Sequence, residues 1–342
     1  MLRRTVTKQE SYLLIAIVII SLITVAVHPN FLKASNVTSI LVSASIFGFI
    51  ALGETFVILG RGIDLSVSAT LGLSALVIGM TANQHHIPIV IGVIIGVVLG
   101  IVLGTVNGLL VIFGKVPPII ATLATLTVYG ALEFVYTNGN QVNSMPNNFD
   151  NLGNASYLGI PVIVLIFVVA VAVCWYFAKY TQLGRDIYAT GNDRQHAESR
   201  GIKTSKAIFS TYVISGLLAG IAGLLFISYY TTATAATGPG TSYELSAIAI
   251  SLIGGTALTG GRANFVSVAI ASVFLAMTLT VAVFFGVPGI WDPAAEGFLI
   301  LAVVLGDAFR TSRSGRRSVV ELKRIISKGD VAHLADNPAG ER

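Results

Sequence analysis

The sequence predicts an all-α, polytopic membrane protein of about ten transmembrane helices, and three observations lead there. The 342-residue chain is 54% hydrophobic and only 11% charged, where a soluble domain is about a quarter charged. Its apolar residues fall into runs of the length a membrane-spanning helix needs, roughly 20 residues. When ten such runs are read as spans, all of the 21 Lys and Arg residues except Lys33 fall on one side. Short basic loops stay in the cytoplasm, so both chain ends are expected there. The net charge of +5 is accounted for by this sidedness and leaves little for nucleic acid to explain.

The first span, 11–27, follows Arg3, Arg4 and Lys8. It is long for the core of a signal peptide, and no clean small-x-small site precedes His28-Pro29, so it reads as an uncleaved helix. The second, 39–60, carries Glu54 and runs into Gly60-Arg61-Gly62. The third, 65–82, opens on Ile63-Asp64-Leu65-Ser66. The fourth, 87–113, is rich in glycine, and the fifth, 119–137, starts after Pro117-Pro118. An Asn-, Ser- and Gly-rich outer segment, 138–159, follows with Pro146 as a breaker. The sixth span, 160–178, holds the lone Cys174, which has no partner for a disulfide within the chain. A basic polar loop, 179–206, leads to the seventh, 207–227. The eighth, 245–258, is short and ends before Gly260-Gly261. The ninth, 265–285, and tenth, 294–309, complete a transmembrane domain over 1–309. The basic remainder, 310–342, is expected to be a solvated, partly disordered cytoplasmic tail.

The third and eighth spans begin alike, with Asp64-Leu65-Ser66 and Glu244-Leu245-Ser246. They lie five spans apart and so enter from opposite faces, as in two inverted five-helix halves, whose matching interruptions point to a binding region. In the fourth span Gly92, Gly96, Gly100, Gly104 and Gly108 recur every four residues. That spacing makes one smooth stripe for close helix contact. The partner is a helix of the same chain or of a second subunit, or the stripe borders a substrate path.

No Walker-type phosphate loop is present, the five histidines show no metal-site spacing, and no nucleophile-elbow motif occurs. The expectation is a non-enzyme without a cofactor. Carboxylates within apolar runs are costly and usually purposeful. Asp64 and Glu244 stand where helices start and either cap them or orient a transport path. Glu54 either pairs with Arg61 or serves the path. Glu133, followed by Phe134 and Tyr136, is placed to hold a hydroxyl-rich ligand with acceptors and ring faces. In the basic loop, Tyr188-Ala189-Thr190-Gly191-Asn192-Asp193 ends in two good N-cap residues. A two-turn helix over 194–200 should follow, with Gly201 as its left-handed C-cap. Too short to be stable alone, that helix either docks on something or is a solvated connector.

Gly62-Ile63-Asp64-Leu65-Ser66-Val67 resembles the signature of permease subunits in ABC importers for ribose, xylose, arabinose and related sugars. The resemblance continues through Asn107-Gly108 and Pro117-Pro118-Ile119-Ile120-Ala121-Thr122-Leu123. It includes Gly184-Arg185, Tyr188-Ala189-Thr190-Gly191, Gly201-Ile202, and Glu244-Leu245 through Gly254-Gly255 to Gly260-Gly261. It thus runs in order from about Gly53 to Asp307. The resemblance implies a translocation subunit for a monosaccharide, a pentose such as ribose foremost, in a bacterial inner membrane. The implied partners are a second permease subunit (identical or related), a cytoplasmic ABC ATPase and an extracytoplasmic substrate-binding protein. Gly191, Asn192, Asp193, Ala197, Gly201 and Ile202 then match the segment that seats in the ATPase, with Ala197 as the expected close contact. Asp64, Ser66, Asn107, Glu133 and Glu244 become the candidates for the translocation path. Departures from the family pattern occur at Ser68-Ala69, Asn192-Asp193, Glu198 and Arg262-Ala263-Asn264. They fit a divergent subgroup such as the autoinducer-2 importers. A stand-alone secondary transporter also suits five-plus-five helices but normally needs an ion site, and a passive channel would not need the elaborate loop.

Overall fold

The computed structural model describes residues 2–85, 87–143, 145–238, 240–302 and 304–305, which divide into a unit ending at Gly297 and a second one from Phe298. In the second unit the described residues are helical and leave Phe298, Leu301 and Leu305 exposed. The tail expected over 310–342 lies outside the described residues.

The first unit is almost wholly helical. Its helices are α1 (Leu2–Val27), α2 (Ala34–Leu59), α3 (Val67–His85), α4 (Ile89–Ile112), α5 (Pro118–Thr137) and α6 (Asn147–Asn154). They continue with α7 (Val162–Tyr180), α8 (Gln182–Asn192), α9 (Arg194–Ser199), α10 (Thr204–Tyr230), α11 (Tyr243–Ile253) and α12 (Phe265–Phe284). Helical residues 292–297 close the unit. Among the described residues, seven helices are long and apolar enough to cross a membrane: α1, α2, α4, α5, α7, α10 and α12. Helices α3, with 19 residues, and α11, with 11, are apolar as well, and α11 is too short for a full-length span.

Helices α2 and α10 form the centre. Helix α2 is buried from Ile40 to Leu59 with few gaps, and it packs on α7, α10, α11 and α12. Its apolar residues are not confined to one stripe because it has neighbours all round. Helix α1 lies on α12, with Ser21 Oγ 3.3 Å from Met277 Sδ and the His28 ring against Phe284 and Phe285. Lipid is as apolar as leucine, so burial between helices gains little transfer free energy, and close packing has to hold them together.

The glycine stripe of α4 supplies the closest packing. All five glycines are buried. A Cβ at Gly100 would collide with the carbonyl oxygen of Gly216, and one at Gly216 with that of Gly100. Gly220 and Gly96 repeat this reciprocal fit one turn on, and Gly104 abuts the Tyr212 carbonyl. At its ends the stripe meets side chains instead, Phe149 of α6 at Gly92 and Phe209 of α10 at Gly108. The stripe is therefore covered by the chain's own α6 and α10.

Two stretches differ from the sequence expectation. The outer segment 138–159 is no plain loop: it contains β1 (Val142–Asn143), α6 and β2 (Ser156–Tyr157). Strand β2 folds back on β3 (Ile160–Pro161), while β1 pairs antiparallel with β4 (Thr232–Ala233) beyond α10. Val142 and Phe149 are buried there, which ties the segment down. The stretch 188–192, read as the approach to a cap, is the last part of α8; the hydroxyl of Thr181 caps that helix by accepting from Gly184 N at 3.0 Å.

Helix contact at the glycine stripe should be intolerant of bulk. Gly100→Leu is expected to cost more than the roughly 1–3 kcal/mol of ordinary overpacking, because the obstacle is backbone. Val98, 52% exposed on the far face, is the control. Folded yield after detergent extraction should drop severalfold for Gly100→Leu and stay unchanged for Val98→Leu.

Candidate functional site

Between α2 and α3 the chain leaves the helix among apolar neighbours, and a polar cluster gathers at that break. Gly60, Arg61 and Gly62 turn the chain, with Arg61 at φ 67°. Asp64, 1% exposed, then accepts at Oδ1 from Ser66 N (3.0 Å) and Ser66 Oγ (2.7 Å). Its Oδ2 accepts from Ser215 Oγ of α10 at 3.1 Å. Asn107 of α4 donates through Nδ2 to Ser66 Oγ at 2.6 Å and to Asp64 Oδ1 at 3.4 Å. Thr125 of α5 donates to Asn107 Oδ1 at 2.7 Å, which fixes the orientation of that amide. Glu54 of α2 receives Asp64 N at 3.2 Å on both carboxylate oxygens, and Thr122 donates to Ile63 O at 3.1 Å. Five elements thus converge on two buried carboxylates.

Arg61 does not pair with Glu54, as the sequence had allowed. It points away and holds the end of α8, donating from Nε to Gly191 O at 2.7 Å and from a terminal nitrogen to Asn192 O at 2.6 Å. The turn between α11 and α12 joins there. Gly261 N donates to Leu59 O at 3.1 Å, and Tyr188 OH donates to Ala263 O at 3.2 Å. Burial pushes the Tyr188 hydroxyl up to about 12, so it remains a donor at any physiological pH. A Cβ at Gly191 would run into Leu59 O, and Gly261, at φ 73°, lies so near Asn192 that only glycine fits. The α8–α9 unit is therefore joined backbone-to-backbone to two chain breaks.

Helix α9 is capped by Asp193, which accepts from His196 N at 3.0 Å and faces the His196 ring nitrogen at 2.8 Å. The backbone amide of His196, then its side chain, holds the Asp193 carboxyl below the usual aspartate range. The cap is thus intact above that range and weakens as pH falls through the lowered value. Glu198 is likewise held low, first by Thr204 and then by Arg194, with bonds of 2.6 and 3.0 Å. Gly201 follows at φ 81°, and the half-buried Ile202 donates from its backbone to Ala197 O at 3.1 Å. Ala197 itself is 3% exposed. It faces inward and so is not the close contact for a partner that the sequence suggested. The exposed residues of α9 are Arg194, Gln195, His196, Glu198 and Ser199, with Arg200 exposed at its C-cap.

Other carboxylates flank the segment entering α11. Glu133 of α5 is fully buried; its Oε2 receives Gly238 N at 3.4 Å, and its Oε1 has no partner among the described residues. Phe134 and Tyr136 are exposed on other faces of α5, so their rings do not flank Glu133. Glu244 lies in the first turn of α11 but makes no cap; the N-cap position is Ser242, at φ 55°, which makes no side-chain cap either. Ser246 donates to Glu296 Oε1 at 2.5 Å, and Glu244 Oε2 and Glu296 Oε2 are buried without a partner among the described residues. Sequence reasoning missed Glu296, Ser215, Thr125 and the anchoring use of Arg61. A carboxylate near the start of the tenth run was the available signal for the first.

Comparison with known proteins places these features. The model of a family described as branched-chain amino acid transport system permease components matches residues 36–306. The ribose import permease protein RbsC of Bacillus subtilis is 40% identical over 298 residues, covering 86% of this chain and 90% of that protein. RbsC of Haemophilus influenzae is 34% identical over 90% of this chain and 94% of its own length. The autoinducer 2 import system permease protein LsrC of Salmonella choleraesuis is 32% identical over 90% of this chain and 88% of its own. No solved structure matches.

The cluster at the break predicts how Asp64 behaves. Asparagine there retains an acceptor for Ser66 and presents a donor to Ser215, so Asp64→Asn should lower thermal stability only slightly. Asp64→Ala strands Ser66, Asn107 and Ser215, each buried polar group costing about 1–3 kcal/mol. Melting of the purified protein should fall by many degrees for alanine and by few for asparagine.

Proposed function

The chain belongs to the family of ABC-importer permeases that includes the ribose and autoinducer-2 permeases, and we propose that it is the translocation subunit of an importer for a monosaccharide. Subunits of this family are non-catalytic and cross the membrane many times. A pentose such as ribose is the leading cargo, in line with the 40% identity to a ribose permease. A separate cytoplasmic ATPase would drive the cycle and an extracytoplasmic binding protein would deliver the sugar. A second permease subunit, identical or related, would complete the channel. Ten spans in two inverted halves and cytoplasmic termini belong to the same proposal.

The observation that carries this reading is the anchoring of α8–α9. Arg61 and Gly261 tie its end to the α2–α3 break and to the α11–α12 turn. A force applied by an ATPase to the outward face of α9 would therefore reach both interruptions directly. The N-terminal end of α1 belongs to the same end, since Gln9 donates to Ile253 O at 2.7 Å and Asn264 to Glu10 at 2.7 Å. Most of the chain's described basic residues thus collect there, as a cytoplasmic face would have them. We assign Asp64, Ser66 and Asn107 to holding the break, since their polar atoms are taken up by one another and by Ser215 and Thr125. Glu133, Glu244 and Glu296 are the better path groups, because each keeps a buried oxygen free to accept from a sugar hydroxyl. The 32% identity to autoinducer-2 permeases favours a second reading, with that signal as cargo.

Reconstitution with the ATPase and binding protein of the same operon tests the proposal. Ribose-loaded binding protein should stimulate ATP hydrolysis and uptake, and stimulation by autoinducer-2 alone would select the second reading. Arg61→Gln should insert and fold, yet lose stimulated hydrolysis at least about tenfold, as hydrogen bonds to a charged donor are worth roughly 1.5–3 kcal/mol. Wild-type stimulation in Arg61→Gln would refute the transmission route.

A further inference from the structure

A cavity of about 410 Å³ opens where α7 ends and α8 begins, beside the turn that leads into α12. Trp175, Lys179, Arg185, Tyr188, Asn264 and Phe265 line it, and none of its lining residues is acidic. Lys179 and Arg185 have no carboxylate partner among the described residues; the ion pairs there are Arg194–Glu198 and His196–Asp193. Glu10, which reaches Asn264 from α1, is taken up by that amide and lies 3.4 Å from Ser267 Oγ. The Lys179 ammonium sits over the rings of Trp175 and Tyr180, at 5.0 and 5.1 Å from their centroids. An Arg185 terminal nitrogen bonds Tyr180 O at 2.9 Å, which steadies the guanidinium beside it. Two cations are thus held at one mouth with no anion between them.

The setting points to the source of that anion. Val168, Ala172, Trp175 and Lys179 fall on one stripe of α7 at helical spacing, and all four are exposed. Val169, Val173 and Tyr176 widen the stripe. Trp175, Tyr176 and Tyr180 cluster at the end of the span, as aromatic residues do at a membrane–water interface. An acyl chain lying along the stripe would bring its headgroup phosphate to Lys179 and Arg185. Basic pockets at the ends of spanning helices take anionic headgroups in this way.

We propose that this cavity binds the headgroup of an anionic phospholipid, with Lys179 and Arg185 as its phosphate ligands and the exposed stripe of α7 as its acyl track. Because α8 frames the cavity and carries α9, the lipid would brace the unit that Arg61 anchors from the other side. The site stands on its own geometry and would survive a change in the cargo assigned above.

The chain has two tryptophans, so Trp291→Phe leaves Trp175 as the sole fluorophore. In phosphatidylcholine vesicles, brominated phosphatidylglycerol should half-quench Trp175 at about a tenfold lower mole fraction than brominated phosphatidylcholine. The double variant Lys179→Gln, Arg185→Gln should abolish that preference, while Lys179→Arg with Arg185→Lys should restore it. An unchanged melting temperature in detergent will show that the glutamine variant is folded. Equal quenching by the two lipids, or a preference that survives the glutamine substitutions, would overturn the proposal. Loss of the preference on adding millimolar inorganic phosphate would assign the cavity to free phosphate instead and overturn it equally.

Discussion

A backbone that leaves the helix among apolar neighbours finds little water to satisfy it, and two of this chain's departures from helix lie beside buried carboxylates. The first departure, after Leu59, is closed by a series of substitutes. Arg61 N and Gly62 N return to the carbonyls of Ile58 and Val57, Thr122 covers Ile63 O, Glu54 takes Asp64 N, and Asp64 takes Ser66 N. The carboxylates of Glu54 and Asp64 are thus there to accept from amides that lost their helical carbonyls. The second departure, between α10 and α11, uses threonines: Thr237 Oγ1 accepts Thr234 N at 2.8 Å, and Thr241 returns to the carbonyls of Thr237 and Gly238 at 3.0 Å. Glu133 takes the remaining Gly238 amide.

The two departures also touch. A Cβ at Gly238 would meet the Ala69 backbone at 2.7 Å and the Ser68 carbonyl at 2.8 Å, so the loop before α11 packs on the first turn of α3. The two breaks are thus in backbone contact, without intervening flexible side chains. Their polar groups differ in a way that suits an alternating machine. Around the first, both Asp64 oxygens and both Glu54 oxygens are engaged, which makes a rigid support. Around the second, Glu133, Glu244 and Glu296 each retain an unpartnered buried oxygen. Such atoms carry a desolvation cost that water or a hydroxyl-bearing solute would relieve.

Much of this was legible in the sequence, for identifiable reasons. Each of the ten apolar runs falls on a helix of the structure as far as the described residues extend. The glycine repeat named its own contact face, since a four-residue spacing of the smallest residue has few other uses in a membrane. Asp193 and Gly201 gave the ends of α9 because caps are local events. Several of the failures are non-local. Ala197 was read as a close contact for a partner because neighbours in sequence do not reveal which side of a six-residue helix faces the rest of the protein. Arg61 was matched with Glu54 by proximity in sequence, whereas its partners are carbonyls some 130 residues away. Phe134 was placed beside Glu133 although adjacent helical positions point in different directions, and Tyr136, one turn on, is exposed where Glu133 is buried.

With Ala197 turned inward, the outward face of α9 is charged and polar rather than apolar. An ATPase that seats there would be recognised by electrostatic complementarity, which governs encounter rate and choice of partner more than raw affinity. Tight holding would have to come from elsewhere. That division suits a subunit that needs α9 mainly as a lever. Asp193 and the Glu198–Thr204 bond fix the lever's two ends, and the bidentate hold of Arg61 fixes its fulcrum. A displacement of α9 would reach the α2–α3 break through hydrogen bonds to backbone and a glycine contact.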